Sequence, residues 1–248
     1  MGLLIKPNIF KPYPQIVAAM SLRGGSDEAF GFNMSTAVGD REEQVLANRQ
    51  QLAARLGFSL DRLAVQHQVH GDRIVYVDEN YQLGDSDALH TDKPGHLLAI
   101  SVADCVPILI ADPDQNVVAG VHSGWRGSAQ NIVGKTLALM KDIYTLSAEN
   151  LLVWIGPSAG QCCYEVGVDV AGAFDSKHSR EIGGGKYLFD NRGVVVEQLL
   201  AESVRPERIE VDLRCTICDI RFQSYRRERE RSGRMFAVIG VKAESLDS

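Results

Sequence analysis

The first strongly patterned stretch of the chain has apolar residues at helical spacing, so we predict a helix over residues 41–56. Asp40 is the expected N-cap, and Glu43, three residues later, completes a capping-box pattern. Gly57 follows the last apolar position and suits the left-handed residue that ends many helices.

Runs of a different period follow this helix, and they predict the fold class. We predict strands over residues 63–69, 73–77, 97–102, 106–111, 117–121, 151–155, 209–213 and 235–241, and helices over 129–140, 168–174 and 194–204. The runs at 97–102 and 106–111 are continuously apolar, which is typical of strands buried on both faces. Because several strands follow one another without a helix between them, we predict an α+β fold, a layered single domain of mixed β-sheets flanked by helices over residues 1–248.

Composition and charge narrow the class of protein. The chain has 248 residues, 45% of them hydrophobic, which is enough for a substantial core. Its net charge of −6, from 26 basic and 32 acidic residues, argues against nucleic acid as a partner. No apolar run is long enough to span a bilayer and no targeting signal is evident, so we expect no membrane partner and a cytoplasmic protein. The sequence does not indicate an oligomeric state.

Three turns carry a side chain that can bind a metal. His70, Cys105 and His122 each end or interrupt an apolar strand, and a glycine follows each histidine turn. Two imidazoles and a thiolate are good zinc ligands, and three protein ligands leave a fourth position open, as in catalytic zinc sites. Spacings of 35 and 17 residues are weak support. The alternative is a buried hydrophobic cysteine and two histidines with hydrogen bonds in the core.

The remaining histidines do not extend this set, and one arginine adds a candidate anion site. If residues 63–69 form a strand, His67 and His70 point to opposite faces and cannot share a metal. We expect His90, His96 and His178 at the surface, because their sequence surroundings are polar. Arg126 precedes the helix predicted to begin near residue 128, where a guanidinium and a helix N-terminus together favour phosphate. The alternative is that Arg126 pairs with a structural acid.

The other four cysteines form two local pairs, Cys162-Cys163 and Cys215-x-x-Cys218. The second spacing is compatible with a further metal site or a redox pair. No matching pair lies at a finger-like spacing, so structural thiols are the favoured interpretation. The run of residues 226–231 mixes arginine and glutamate and is typical of a solvated hairpin or helix end.

At these residues the chain resembles the YfiH-type family, also called the laccase-domain or polyphenol oxidase family. The matching motifs are Leu22-Arg23-Gly24-Gly25, Asn33-Met34-Ser35, Val38-Gly39-Asp40, Asn48-Arg49, Gln68-Val69-His70-Gly71, Ala103-Asp104-Cys105-Val106-Pro107, His122-Ser123-Gly124-Trp125-Arg126-Gly127, Ile155-Gly156-Pro157, Tyr164-Glu165-Val166, Asp212-Leu213-Arg214-Cys215-Thr216 and Ser224-Tyr225-Arg226-Arg227. The resemblance covers nearly the whole chain. It implies a layered fold with mixed sheets and places the family's metal ligands on His70, Cys105 and His122. It assigns no role to Cys162, Cys163 or Cys218.

The activities assigned to this family suggest the chemistry. They are purine nucleoside phosphorolysis with adenosine deamination, polyphenol oxidation, and editing of peptidoglycan precursors. A blue-copper centre with its copper cluster needs more histidines than these six, so oxidation is disfavoured, although copper could replace zinc. We predict a zinc-dependent purine nucleoside phosphorylase acting on adenosine, inosine and methylthioadenosine, with adenosine deaminase activity; its partners are the nucleoside and phosphate.

The predicted roles are as follows. Arg126, with Arg23 and Asn33, holds phosphate. Asp104 orients a ligand histidine or exchanges protons, and the simpler alternative is a buried carboxylate that supports the ligands from behind. The alternative is a cysteine hydrolase or amidase with Cys105 as nucleophile and His122 as base, a chemistry that suits the editing of cell-wall precursors. A third possibility is an interaction module with structural zinc, although three ligands beside glycines indicate an open site.

Overall fold

A computed structural model describes residues 3–24, 30–80 and 84–243, and these ranges contain fourteen strands and six α-helices. The strands are β1 (Leu4–Ile5), β2 (Ile16–Ser21), β3 (Leu63–Val65), β4 (Ile74–Tyr76), β5 (Ala88–Thr91), β6 (Leu97–Val102), β7 (Val106–Asp112), β8 (Val117–Ser123), β9 (Leu152–Ile155), β10 (Glu165–Gly167), β11 (Ser179–Gly183), β12 (Lys186–Phe189), β13 (Ile209–Val211) and β14 (Met235–Val241). The helices are α1 (Glu42–Leu56), α2 (Trp125–Ala129), α3 (Ile132–Tyr144), α4 (Val168–Ala171), α5 (Asn191–Ala201) and α6 (Tyr225–Glu228).

The strands form two mixed sheets and one small antiparallel sheet. The first sheet has the order β1-β2-β14-β6-β3, and only the β6–β3 pair is parallel. The second has the order β13-β9-β7-β8-β5-β4, with parallel pairs at its two edges. The third has the order β10-β12-β11. This is the predicted α+β arrangement of sheets and segregated helices.

Alternate residues of the central strands face two different cores, which builds the layers. On β6, Leu98 and Ile100 pack into a core between the two large sheets, while Leu97 and Ala99 pack with residues of α1. The second sheet likewise turns one face to the central core and the other to α3 and α5. Both faces of the sheets are therefore covered, which explains the continuous apolar runs in the sequence.

The start of α1 differs from the prediction, but its end does not. The N-cap is Arg41, and the Asp40 carboxylate accepts the N–H of Arg41 instead of capping the helix interior. The capping box was therefore wrong. Gly57, with φ of 84°, ends the helix, and its N–H bonds to the carbonyls of Ala53 and Ala54. The left-handed C-terminal residue is confirmed.

Several further elements depart from the sequence pattern. The helix predicted over 194–204 is α5, which runs from Asn191 to Ala201, and β2 and the whole third sheet were not predicted. β3 ends at Val65, four residues earlier than predicted, because the chain there leaves the sheet and approaches the second one through a bridge between His67 and Asp85. The helix predicted over 129–140 corresponds to α3, which a break at Asn131, with φ of 54°, separates from α2. Arg126, predicted to precede the helix, lies inside α2. Among the described residues, no helix combines the length and apolarity that crossing a membrane requires.

The prediction that His90, His96 and His178 lie at the surface was wrong, since all three are buried. His90 belongs to β5, and its Nδ1 lies 2.8 Å from the Tyr144 hydroxyl. His178 Nε2 lies 2.7 Å from a carboxylate oxygen of Glu197. Polar residues nearby in the sequence misled the prediction. All four residues of β5 are buried, His90 among them, and buried His178 directly follows an exposed residue, Lys177.

Candidate active site

The three metal-capable turns meet where the chain passes from the first sheet to the second. Cys105 lies in the short connection between β6 and β7, His122 is near the end of β8, and His70 lies in the loop between β3 and β4. One ligand atom from each side chain lies within 4.8 Å of the other two. The structure thus brings the predicted triad together, although its members are far apart in sequence.

A buried carboxylate, Asp87, fixes both histidines of the triad. Its Oδ1 lies 2.7 Å from His122 Nδ1, and neither side chain has appreciable exposure. The same carboxylate accepts the backbone N–H groups of Val69, His70 and Gly71 at 3.2, 3.0 and 2.7 Å. Because Asp87 occupies Nδ1, the Nε2 atom of His122 is the one free to face the other ligands.

The side chains of Cys105 and His70 lie close to each other and to His122. Cys105 Sγ lies 3.7 Å from His70 Nε2, and the rings of His70 and His122 meet edge to face with centroids 4.8 Å apart. Gly124 has to be glycine here, because a Cβ at this position would lie 2.8 Å from His70 Cδ2 and 3.2 Å from Cys105 Sγ.

The electrostatics of the triad favour a thiolate. Burial raises the pKa of Cys105, but the charges and hydrogen bonds of His122 and His70 outweigh it and lower the pKa to about 6. Burial lowers the pKa of His122, but Cys105 and Asp87 raise it to about 9. Although burial of Asp87 acts against ionisation, its bonds to His122 and the backbone keep its pKa below the ordinary value.

Asp104 has a different place from the one the sequence suggested. Its Oδ1 accepts the Thr216 hydroxyl at 2.6 Å, and its Oδ2 accepts the Ser224 hydroxyl at 3.1 Å and the N–H of Arg226 at 2.7 Å. The carboxylate that orients a histidine is Asp87, which sequence reasoning missed. The only signal for Asp87 was an acidic residue directly before an apolar strand, and that pattern is common.

A cavity of about 1050 Å³ opens beside the triad. Its lining includes two acidic residues, Asp104 and Glu230, and five arginines: Arg49, Arg126, Arg226, Arg229 and Arg234. Aromatic rings also line it, namely Trp125, Tyr164, Tyr225 and Phe236. A chain of negative net charge therefore carries a local excess of positive charge at this cavity, which suits an anion.

The arginines of the cavity match the prediction only in part. Arg126 is at the cavity, exposed, with its guanidinium 4.3 Å from the centre of the Trp125 ring. Arg23 pairs with Glu228, and neither it nor Asn33 is among the lining residues. Asn33 is fully buried, and its amide binds the backbone of Ser35 and Arg234.

The proposed phosphate roles of Arg23 and Asn33 therefore need correction: Arg23 forms an ion pair and Asn33 holds loops together. Gly25, the last residue of the motif containing Arg23, lies outside the described residues. Sequence reasoning missed Arg226 and Arg229, because it assigned their charge-mixed run to a solvated surface. The resemblance of Ser224-Tyr225-Arg226-Arg227 was the signal that could have found Arg226.

The donor set fits one zinc ion. With zinc bond lengths of about 2.3 Å to sulfur and 2.0–2.1 Å to nitrogen, a tetrahedral site separates a sulfur and a nitrogen ligand by about 3.6 Å. The observed Cys105–His70 separation of 3.7 Å is close to this value. All six histidines are among the described residues, and only His70 and His122 join a group of potential ligands. A multi-copper cluster needs more histidines than this site supplies.

Comparison with known proteins identifies similar chains along almost the full length. Residues 17–242 match the model of a family described as "Multi-copper polyphenol oxidoreductase laccase". A Geobacillus stearothermophilus protein named "Purine nucleoside phosphorylase YlmD" is 35% identical, covering 94% of this chain and 93% of its own. A "Purine nucleoside phosphorylase" of Deinococcus radiodurans is also 35% identical, covering 97% and 93%.

Solved structures agree with the fold. The crystal structure of YlmD from Geobacillus stearothermophilus superposes with a TM-score of 0.88 at 35% identity, covering 94% of each chain. That of the Bacillus licheniformis hypothetical protein YfiH gives a TM-score of 0.91 at 28% identity, covering 98% of this chain and 97% of that one. The α+β fold with mixed sheets is therefore shared with these proteins.

Proposed function

The chain belongs to the family of multi-copper polyphenol oxidoreductase laccases, and we propose that it is a zinc-dependent purine nucleoside phosphorylase that also deaminates adenosine. The observation that carries the proposal is one cavity that joins a three-ligand metal set to five arginines. The names of the relatives in Geobacillus and Deinococcus support the same activity. We expect adenosine, inosine and methylthioadenosine as substrates, with phosphate as co-substrate.

His70, Cys105 and His122 would hold the zinc, and Asp87 would fix the ring of His122 in the tautomer that ligates through Nε2. Three protein ligands leave a fourth position, as in catalytic rather than structural zinc sites. Zinc, when bound, supplies Lewis-acid chemistry at this position. This donor set of two imidazoles and one thiolate also binds copper, so metal analysis has to identify the ion.

The arginines and rings of the cavity would position the two substrates. Phosphorolysis forms a bond between a phosphate oxygen and C1′ of the ribose and breaks the bond from C1′ to the purine nitrogen. The electron pair of that bond leaves with the base, which takes up a proton, and ribose 1-phosphate remains. Arg126, Arg226 and Arg229 provide the charge to hold phosphate, and Trp125 and Tyr164 offer faces for the purine. Deamination would add water at C6 of the purine and release ammonia.

A second candidate, a cysteine hydrolase or amidase, rests on one specific observation. Cys105 with a pKa of about 6 beside His122, which Asp87 orients, forms an activated thiolate and its partner base without any metal. Stoichiometric zinc would occupy the thiolate that such a nucleophile needs. Metal content therefore separates the two candidates.

The test combines metal analysis with a product assay. Purified protein is assayed with each nucleoside, with and without phosphate, for free base, ribose 1-phosphate and ammonia. We expect zinc at the triad and base release that depends on phosphate. Cys105→Ser should lose the zinc at the triad and the phosphate-dependent release of base. His67→Ala, three residues from His70 but outside the ligand set, should keep the zinc at the triad. Zinc-free protein, or full turnover by Cys105→Ser, would overturn the proposal.

A further inference from the structure

Four of the five cysteines meet where two loops cross, outside the His70–Cys105–His122 triad. Cys162 and Cys163 lie in the loop between β9 and β10, and Cys215 and Cys218 lie in the loop between β13 and α6. Their four sulfur atoms all lie within 4.8 Å of one another. We propose that these thiolates form a second metal site, which holds one zinc ion in tetrahedral coordination.

The separations of the sulfurs match a mononuclear site. Cys218 Sγ lies 3.5 Å from Cys162 Sγ and 3.0 Å from Cys163 Sγ. A tetrahedral zinc with bonds of about 2.3 Å separates its sulfur ligands by about 3.8 Å, so small side-chain adjustments suffice. A four-iron cluster would hold its thiolates further apart, because irons and sulfides lie between them. All four thiols are free, and a disulfide would need sulfurs about 2.05 Å apart.

The two loops are joined by bonds that do not depend on a metal. Ser158 and Cys215 form a parallel bridge, and the N–H of Thr216 donates to the Ser158 carbonyl at 3.1 Å. The N–H of Gly160 donates to Cys215 Sγ at 3.2 Å. The Arg227 guanidinium donates to the carbonyl of Thr216, inside the Cys-x-x-Cys turn, at 2.7 Å. The ligands are therefore held near one another before an ion binds, which reduces the ordering that binding requires.

Zinc binds cysteine as the thiolate, and the surroundings of the four sulfurs suit that form. The N–H of Gly160 donates to Cys215 Sγ, and Cys218 Sγ contacts the sulfurs of Cys162 and Cys163. A divalent ion between the sulfurs would offset the mutual repulsion of thiolates at such short separations.

A site with four protein ligands has no open position, which is typical of structural zinc. It would tie the loop that ends at Tyr164 to the loop that carries Thr216. Tyr164 lines the cavity, and Thr216 donates to Asp104, the residue before Cys105. The second ion would therefore stabilise the two loops that position Tyr164 at the cavity and Asp104 beside Cys105. The inference stands on these residues alone and does not depend on the proposed phosphorolysis.

The experiment counts zinc in three proteins purified under reducing conditions. We expect two zinc ions per chain in the unaltered protein and one in the Cys162→Ser/Cys218→Ser variant, with a lower Tm. The reciprocal control, His70→Ala/Cys105→Ser, should also keep one. X-ray absorption at the zinc edge of this control should show four sulfur ligands at about 2.3 Å and no nitrogen.

Several results would overturn the inference. They are a triad variant without zinc, a remaining zinc that binds nitrogen, iron in place of zinc, or a mass two hydrogens lower that marks a disulfide. If the variant lacking Cys162 and Cys218 does not fold, the triad variant and its spectrum still decide. Failure of the proposed function would be seen in different measurements, as missing zinc at the triad or as absent nucleoside turnover.

Discussion

Replacing Asp87 by asparagine tests the role of the carboxylate that the sequence did not reveal. Asp87 accepts four hydrogen bonds: Oδ1 from His122 Nδ1 and the N–H of His70, and Oδ2 from the N–H groups of Val69 and Gly71. Asparagine keeps one oxygen and replaces the other by an NH₂ group, which donates but does not accept. Either orientation therefore sets its NH₂ against two donors.

Each orientation damages one metal ligand. If the NH₂ group faces His122, that ring relieves the conflict by moving its proton from Nδ1 to Nε2, the nitrogen that would bind the metal. If the NH₂ group faces the backbone of Val69 and Gly71, the turn that positions His70 has to shift. Loss of such an orienting partner typically lowers metal affinity about 10- to 100-fold, which corresponds to about 1.4–2.7 kcal/mol.

The assay is competition for zinc between the protein and a coloured chelator. Every protein compared carries Cys162→Ser and Cys218→Ser, so that only the triad is titrated. Asp112→Asn is the matched control. Asp112 is also buried, and its Oδ1 accepts the N–H groups of Asp114 and Gln115, its only side-chain hydrogen bonds within the described ranges. Asparagine can keep both of these bonds. A folded Asp87→Asn protein with the zinc affinity of its parent would refute the role assigned to Asp87.

Three further predictions follow from single contacts. Burial lowers the pKa of His90 to about 4, so as pH falls the imidazole is protonated in the unfolded chain before it is protonated in the folded one. We therefore expect about 3 kcal/mol of the free energy of unfolding to be lost between about pH 6.5 and 4. His90→Gln should make the free energy of unfolding, measured with denaturant, depend less on pH in this range than it does in the wild type. Arg126→Ala should raise KM for phosphate at least about tenfold, with a smaller change in KM for nucleoside, and an unchanged phosphate KM would exclude its role. Gly124→Ala should lower zinc occupancy by displacing His70, whereas Gly84→Ala should not, because among the described residues a Cβ there meets only Arg73.

Much of the fold was predictable because burial on both faces leaves a clear mark on a strand. The runs at β6 and β14 were predicted with the bounds that the structure has, and each alternates between two apolar cores. The break between α2 and α3 was not predictable from periodicity. Asn131 takes a left-handed conformation there, and its own side chain caps α3 by accepting the N–H of Gly134.

Of the candidate site, only the residues with metal-binding side chains in recognisable turn motifs could be predicted from the sequence. His70, Cys105 and His122 carry recognisable chemistry within glycine- or proline-containing motifs. The contribution of Asp87 depends on its meeting β8 and the His70 turn in three dimensions, and nothing near it in sequence indicates this. The four cysteines are a similar case: the Cys-x-x-Cys spacing was compatible with a metal site, but only the crossing of two loops brings all four sulfurs into one cluster.

Asp104 connects these separate features. It has φ of 90°, which few non-glycine residues adopt, and three donors from distant parts of the chain hold its carboxylate in that conformation. One donor, Thr216, adjoins Cys215 of the cysteine cluster, and another, the N–H of Arg226, begins the segment that brings arginines to the cavity. The backbone strain at Asp104 is therefore maintained by tertiary contacts, and its effect is to present Cys105 to the two histidines. The sequence suggested this carboxylate as a partner of a ligand ring, but its hydrogen bonds hold the backbone conformation of the residue directly before the ligand Cys105.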